Sequence, residues 1–275
     1  MRPEQLTKNV IRDVEKFYCS FNAARFGSLR DLAGNPYEVE IRVFGDALAV
    51  KNKSPWLCSK QRVIGFGASD ALHLNDLLSW YRRDGLSCSI LVNYGEMNPS
   101  LFRQFVAAGL VSNGSGTTIA WMNSATPDQP SSGLVIRESL VEERESYLDL
   151  FARCFPDRPE EDPNYRAIQW AEDAYPNGKR YIAELDGLPV GFASMPVIDG
   201  VAICGTAGTF PEFRRRGIQR CLIERRIADS AAMGCSLLLG GADLGSTPHR
   251  NFLRCGFRFL PLGMSWADMA DRESG

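Results

Sequence analysis

Apolar residues recur at helical spacing in several segments of the chain. Near its start they lie three or four residues apart, on one face of a helix; they are Leu6, Val10, Val14, Phe17 and Phe21. Residues 70–84 carry a similar apolar stripe that Gly85 closes, which predicts a second helix. The same spacing predicts a long helix at 216–233 and a shorter one near 247–254.

Alternating patterns and turn residues predict β-strands between the helices. Val39, Ile41 and Val43 alternate with polar residues before a Gly45-Asp46 turn, which is typical of a β-hairpin. Residues 179–210 predict three strands, because two Asp-Gly pairs divide them. The order of elements predicts a mixed α/β or α+β fold with a central sheet.

The composition changes once, near the middle of the chain. Residues 123–133, "NSATPDQPSSG", are polar, contain two prolines and have no periodicity, as expected of a linker. We therefore predict a first domain at 1–125, a linker at 126–133 and a second domain at 134–275. Both halves contain the order helix, glycine, strand, short helix, strand.

Bulk charge and the metal-binding residue types exclude several classes of function. The net charge of −2 gives no overall field for nucleic acid. The chain has two histidines and eight cysteines without CxxC spacing, so we expect no metal. There is no apolar run of about 18 residues and no apolar signal core, so we expect a cytoplasmic protein with free thiols and no membrane partner.

The stretch "EFRRRGIQRCL", residues 212–222, connects a predicted strand to a predicted helix. The first N–H groups of a helix have no partner within it, and the helix dipole makes that end partly positive. Gly217 would let the backbone approach an anion closely, and three arginines add charge. The pattern predicts a pyrophosphate held by main-chain amides, although it is neither a Walker loop nor GxGxxG.

Around this loop the chain resembles the GNAT superfamily of acyl-CoA-dependent N-acetyltransferases. The resemblance rests on Arg214-x-x-Gly217-x-Gln219, on Pro211, on the following helix and strand, and on Gly256-Phe257. It covers about residues 134–266, and Gln219 departs from the small residue that is usual there. The first half is a possible degenerate GNAT-like lobe, because it lacks the arginine loop and Asp70 would repel phosphate. The fold implied is therefore two tandem GNAT-like lobes.

The resemblance implies an enzyme that moves an acetyl group from acetyl-CoA to an amine by direct attack. The strand before the loop would pair with the pantetheine arm, and the loop amides would bind the pyrophosphate. The cofactor-binding residues so implied are Ala207, Gly208, Thr209, Arg214, Arg215, Arg216, Gly217, Ile218, Gln219 and Arg220. The acceptor would be an amine of an unknown small molecule or peptide, and the protein a monomer or homodimer.

The catalytic residues are less well determined. Many family members have a tyrosine acid four residues before the glycine of "GF", where this chain has Phe252. Ser246 and His249 are nearby candidates, and Glu184 is a candidate base acting through water. Structural roles stay open for His249 and Glu184.

Two other functions also stay open. One is a non-catalytic CoA-binding or scaffold protein, which Phe252 favours. The other is a Fem-type aminoacyl transferase that uses charged tRNA, against which the near-neutral charge argues.

Overall fold

The computed structural model describes residues 8–53, 61–93, 95–121, 133–155, 166, 169–170 and 177–268. By its contacts the chain divides into two compact units. The first unit is Met1–Thr117 together with Pro261–Gly275, and the second is Thr118–Leu260. These bounds differ from the predicted domains 1–125 and 134–275, because the last strand pairs within the first unit. Most of the predicted linker lies outside the described residues.

Among its described residues, the first unit contains three α-helices and a series of neighbouring β-strands. Its elements are α1 (Lys8–Arg30), β1 (Glu40–Phe44), β2 (Ala47–Lys51), β3 (Arg62–Ile64), α2 (Leu74–Arg82), β4 (Ser89–Asn93), α3 (Pro99–Ala107), the start of β5 (Leu110–Trp121) and most of β13 (Arg258–Asp268). Neighbouring strands follow the order β1-β2-β3-β4-β13. Phe44 pairs with Ala47 across the Gly45-Asp46 turn, so the predicted hairpin is confirmed.

The first core forms where helix stripes meet these strands. Leu77 and Tyr81 of α2 are fully buried and pack in one cluster with Val63 and Ile90 of β3 and β4. The Tyr81 hydroxyl donates to the Val50 carbonyl at 2.8 Å, so this buried polar group has a partner. The stripe predicted for residues 70–84 is thus the buried face of α2.

The second unit contains the remaining strands and helices. They are β6 (Leu134–Glu138), α4 (Arg144–Cys154), β7 (Lys179–Leu185), β8 (Leu188–Met195), β9 (Val197–Ile198), β10 (Val201–Cys204), β11 (Ala207–Thr209), α5 (Ile218–Ala232), β12 (Leu237–Gly240) and α6 (Thr247–Arg254). One sheet has the antiparallel order β11-β8-β7-β6. Another set of neighbours is β12-β10-β9, in which β10 and β12 are parallel.

The chain changes sheets between β10 and β11. Gly205 N donates to the Ser194 carbonyl at 3.0 Å, and the Thr206 carbonyl accepts from Ser194 N at 2.9 Å. Two residues therefore oppose one residue of β8, which is the arrangement of a β-bulge. Beyond this bulge β11 pairs with β8 and no longer follows β12, so the two sheets separate at residues 205–206.

The second core lies beneath this separation. Ile218, Leu222, Ile223 and Ile227 of α5 are buried at helical spacing and pack against the strands. Helix α5 begins two residues later than predicted, because Gly217 is its N-cap. Among the described helices none has the length and apolar character needed to cross a membrane.

Candidate functional site

A cavity of about 790 Å³ opens in the second unit where β11, α5 and α6 meet. Among the described residues that line it, four are arginines and none is acidic. The lining residues are Cys154, Phe155, Ala207, Gly208, Thr209, Phe213, Arg214, Arg215, Gly217, Ile218, Gln219, Arg220, Leu222, Thr247, Pro248, Asn251 and Arg254. The cavity therefore favours an anionic ligand.

The wall formed by β11 has an open edge. The Thr206 carbonyl and the Phe210 N–H both bond to β8, through Ser194 N and the Val190 carbonyl. Because peptide groups are planar and alternate along a strand, the N–H and C=O groups of Ala207 and Thr209 point away from β8. Strand β11 is the last in its sheet, so the N–H and C=O of Ala207 and the N–H of Thr209 are available to a ligand in extended conformation, while the Thr209 carbonyl accepts from Arg214.

Gly208 allows α4 to lie directly against this strand. A Cβ at Gly208 would lie 2.6 Å from Cys154 Cβ, 2.8 Å from Cys154 Sγ and 2.8 Å from a ring carbon of Phe192. The close approach brings the end of α4 to the cavity wall, where Cys154 and Phe155 contribute. Gly208 is therefore required by packing.

Gly217 is required for a different reason. Its φ is +79°, in the left-handed region, and a Cβ there would meet nothing within 4 Å. Arg215 also has a positive φ, of 64°, which is uncommon for a residue with a side chain. The two residues turn the chain sharply from β11 into α5, and the space beside Gly217 stays open.

The N-terminus of α5 borders the cavity. The first helical bond runs from Cys221 N to the Gly217 carbonyl at 3.1 Å, so the N–H groups of residues 218–220 precede the helical ladder. Gly217 has no side chain to cap them, and the first turn contains no acidic residue. The dipole of this 15-residue helix adds partial positive charge at the same place. An anion site at this helix end stays a prediction.

The predicted arginines differ in their placement. Arg214 lines the cavity and donates from Nε to the Thr209 carbonyl at 3.3 Å. Arg215 and Arg220 also line it, and Arg220 Nε pairs with Glu224 at 2.6 Å. Arg216 is not among the lining residues, because its guanidinium lies over the Phe213 ring at 5.4 Å.

Gln219 links two walls of the cavity. Its Oε1 accepts from Asn251 Nδ2 at 2.7 Å, which connects the first turn of α5 to α6. The side chain that departs from the usual small residue thus has a partner within the same cavity.

One face of α6 lines the cavity, although the cofactor-binding residues predicted from the sequence do not include it. Thr247, Asn251 and Arg254 are four and three residues apart, and all three line it. The signal was present, because a helix was predicted at these positions and this spacing puts the three on one face.

The three predicted catalytic residues are not among the residues that line the cavity. The Glu184 carboxylate accepts from Arg137 Nε at 2.8 Å on the β6–β7 pair. Ser246 is the N-cap of α6 and accepts from His249 N at 3.2 Å, which is a structural role. His249 is 8% exposed and its Nε2 has no hydrogen-bond partner among the described residues.

Phe252 and two nearby cysteines have structural or unreactive environments. The Phe252 ring packs against Phe257 with centroids 4.8 Å apart and is 5% exposed. Burial raises the pKa of the Cys255 thiol to about 11, and that of Cys154 to about 12. Both cysteines are therefore neutral thiols near pH 7 rather than nucleophilic thiolates. The described residues contain no group of three potential metal ligands.

The corresponding loop of the first unit binds its own side chain. Asp70, 2% exposed, accepts from Gly67 N at 2.8 Å and from Asp46 N at 2.9 Å. Its carboxylate thus occupies donors that an external anion would need. This contact gives a structural reason for the prediction that Asp70 opposes phosphate binding.

Comparisons with known proteins identify the fold. The model of the acetyltransferase (GNAT) family matches residues 144–257. The fold is similar to that of a GCN5-related N-acetyltransferase from Kribbella flavida, with a TM-score of 0.55, 19% identity and coverage of 90% of this chain and 98% of that one.

Two further solved structures share the fold at lower identity. L-PGS from Bacillus licheniformis has a TM-score of 0.57 and 11% identity, covering 90% of this chain and 87% of that one. FemX has a TM-score of 0.54 and 11% identity, covering 92% and 95%. No curated protein matches the sequence significantly. The chain therefore has a mixed α/β GNAT fold, and its residues 144–257 match the model of the acetyltransferase (GNAT) family.

Proposed function

We propose that the second unit binds acetyl-CoA and transfers its acetyl group to an amine. The observation that carries the proposal is that the open edge of β11 and the N-terminus of α5 line the same cavity. One feature suits an extended amide chain and the other suits a diphosphate, and CoA joins these two groups in one molecule.

The residues present fit such a ligand. The N–H groups of residues 218–220 would donate to the diphosphate, with Arg215 and Arg254 adding charge. Each guanidinium that reaches a phosphate oxygen would contribute about 1.5–3 kcal/mol. The outward N–H and C=O groups of Ala207 and the N–H of Thr209 would bond to the amides of the pantetheine arm.

The β-bulge supplies a donor for the acyl carbonyl. Thr206 N–H has no hydrogen-bond partner in the part of the chain that the structure describes. It lies where the two sheets separate, one residue before the open edge begins. A backbone donor at this position would stabilise negative charge on the carbonyl oxygen as a neutral amine attacks the acyl carbon.

The attacking amine would release a proton to water as the amide forms, and the leaving thiolate would take one from water. Phe252 has no ionisable group and packs away from the cavity lining. Cys154 lines the cavity, but its pKa of about 12 makes it a weak acid as well as a poor nucleophile. Direct transfer requires no covalent enzyme intermediate, so these features are compatible with it.

A second candidate is transfer of an aminoacyl group from charged tRNA. The similarity in fold to FemX and to L-PGS, over about 90% of this chain in each case, favours considering it. The net charge of −2 argues against the extended basic surface that tRNA binding requires. We therefore propose acetyl-CoA, rather than charged tRNA, as the acyl donor.

Titration of the pure protein with acetyl-CoA tests the proposal. We expect saturable binding, followed by amine-dependent release of CoA thiol when a panel of small-molecule and peptide amines is added. Binding without thioester consumption across the panel would favour the non-catalytic CoA-binding alternative. Failure to bind acetyl-CoA and free CoA would contradict both readings and make charged tRNA the next ligand to test.

A further inference from the structure

Arg226 is a buried arginine that has no acidic partner among the described residues. It lies in α5, is 1% exposed, and is among the largest fully buried side chains of the described residues. No carboxylate contacts it in the part of the chain that the structure describes. A buried guanidinium without a counter-charge costs free energy, so its position calls for a physical reason.

The guanidinium bonds to three carbonyls around the separation of the sheets. Nε donates to the Leu222 carbonyl within α5 at 3.0 Å. Nη1 donates to the Ser194 carbonyl at 3.3 Å and to the Gly205 carbonyl at 3.4 Å. Ser194 and Gly205 are the two sides of the β-bulge, so Arg226 fixes the bulge to α5.

The contact with Gly205 also determines the direction of a neighbouring donor. The Gly205–Thr206 peptide is planar and trans, so its C=O and N–H groups point in opposite directions. The C=O points to Arg226, and Thr206 N–H therefore points away from the guanidinium. A charged donor on the carbonyl also polarises the peptide and makes its N–H a stronger hydrogen-bond donor.

We propose that Arg226 is a positioning residue that aims and polarises Thr206 N–H toward the carbonyl oxygen of the acyl thioester. The inference rests on the proposed function, because it assigns a role within the same cofactor site. It explains why an unpaired charge is buried beneath the bulge. It also gives the site electrostatic assistance at the carbonyl that does not depend on a side chain at position 252.

Infrared difference spectroscopy of bound acetyl-CoA tests this role without knowledge of the acceptor. Comparison of acetyl-CoA with its carbonyl-¹³C form isolates the thioester C=O band, whose frequency falls when the oxygen accepts a hydrogen bond. We expect the band of the bound thioester to lie below that of the free one in the unmodified protein. In Arg226→Met it should return most of the way to the free value, and in Arg226→Lys part of the way.

Arg225→Met is the matched control. Arg225 is the next residue of α5 and bonds to Asp229 at 3.1 Å and to the Ile136 carbonyl at 2.6 Å, away from the bulge. Its loss should change stability but leave the carbonyl band in place. Affinity for free CoA, which has no acyl carbonyl, should change by less than about threefold in the Arg226 variants.

Several results would overturn the inference. One is an unshifted band in the unmodified protein with acetyl-CoA bound, which needs no variant that might fail to fold. Another is an unchanged band in folded Arg226 variants. If the unmodified protein binds no acetyl-CoA, the proposed function fails and this inference with it, so the two failures are distinguishable.

Discussion

At the scale of single residues, the candidate site depends on backbone groups that other parts of the fold leave unpaired. Gly217 turns the chain in the left-handed region and has no side chain to cap α5. At the β-bulge, Thr206 N–H has no hydrogen-bond partner among the described residues. The N–H and C=O groups of Ala207 lie on the open edge of β11. The arginines add charge around donors that the main chain already provides.

Gly208 gives a prediction about stability at this scale. A Cβ at this position would lie within 2.8 Å of Cys154 and Phe192, so Gly208→Ala must displace one of them. We expect a loss of about 1–3 kcal/mol in the free energy of unfolding, measured by urea denaturation.

Gly241→Ala is the control for Gly208→Ala. A Cβ at Gly241 meets nothing within 4 Å and its φ is not in the left-handed region, so we expect a change within about 0.5 kcal/mol. Equal losses of stability in the two variants would contradict the close contacts of Gly208 with Cys154 and Phe192.

At the scale of elements, an ion network joins β6, β7 and the start of α4. Arg137 donates from Nη2 and Nη1 to both oxygens of Glu143, at 2.7 and 2.8 Å, and from Nε to Glu184. The Leu140 N–H also donates to Glu143 at 2.8 Å. The Arg137 guanidinium is the main reason why the pKa of Glu143 falls from 4.5 to about 2.

This network predicts a pH dependence. Because the folded pKa of Glu143 lies below its ordinary value, the stability it contributes is present above pH 4.5 and is lost as the pH falls through about 2. In Arg137→Met, carboxyl NMR titration should find the Glu143 pKa raised toward 4.5, though still below it because the Leu140 N–H remains. A value that stays near 2 would contradict the assignment.

The sequence predicts the elements that carry the site better than it predicts their tertiary arrangement. The loop at residues 214–217 could be located because a strand, clustered arginines, a glycine and a helical stripe follow one another in the chain. The β-bulge at Gly205 and Thr206 could not, because it arises from pairing with Ser194 far away in sequence.

Candidate catalytic residues illustrate the same limit. Glu184 has the right chemistry for a base, but its partner Arg137 is 47 residues away and becomes its neighbour only when β6 pairs with β7. The N-cap role of Ser246 could be predicted from the local sequence, since a serine before a short helix is a common N-cap. Arg226 resembles any polar position of α5 until burial is known.

At the scale of the whole chain, two units contain comparable loops, but only in the first does a carboxylate of the described residues bond to the loop's backbone N–H groups. In the first unit the Asp70 carboxylate bonds to Gly67 N and Asp46 N. In the second unit the first turn of α5 has no acidic residue and faces a cavity. The two halves share an order of elements, and the difference lies in one buried carboxylate.

This difference predicts the binding stoichiometry. Isothermal titration calorimetry with acetyl-CoA should find one site per chain, because the Asp70 carboxylate already fills the donors of the first loop. Two equivalent sites would contradict the assignment of the first unit as unable to bind the cofactor.

The most direct test of the account is acetyl-CoA binding by Gly217→Glu compared with Gly234→Glu. Both glycines have left-handed φ values, of +79° and +72°, and open space around a Cβ, and they flank opposite ends of α5. Both variants should therefore lose a similar amount of stability, about 1–2 kcal/mol. Only the carboxylate at residue 217 would repel a diphosphate at the helix N-terminus.

Calorimetric titration should find binding abolished in Gly217→Glu and retained in Gly234→Glu. Retained affinity in a folded Gly217→Glu protein would contradict the account.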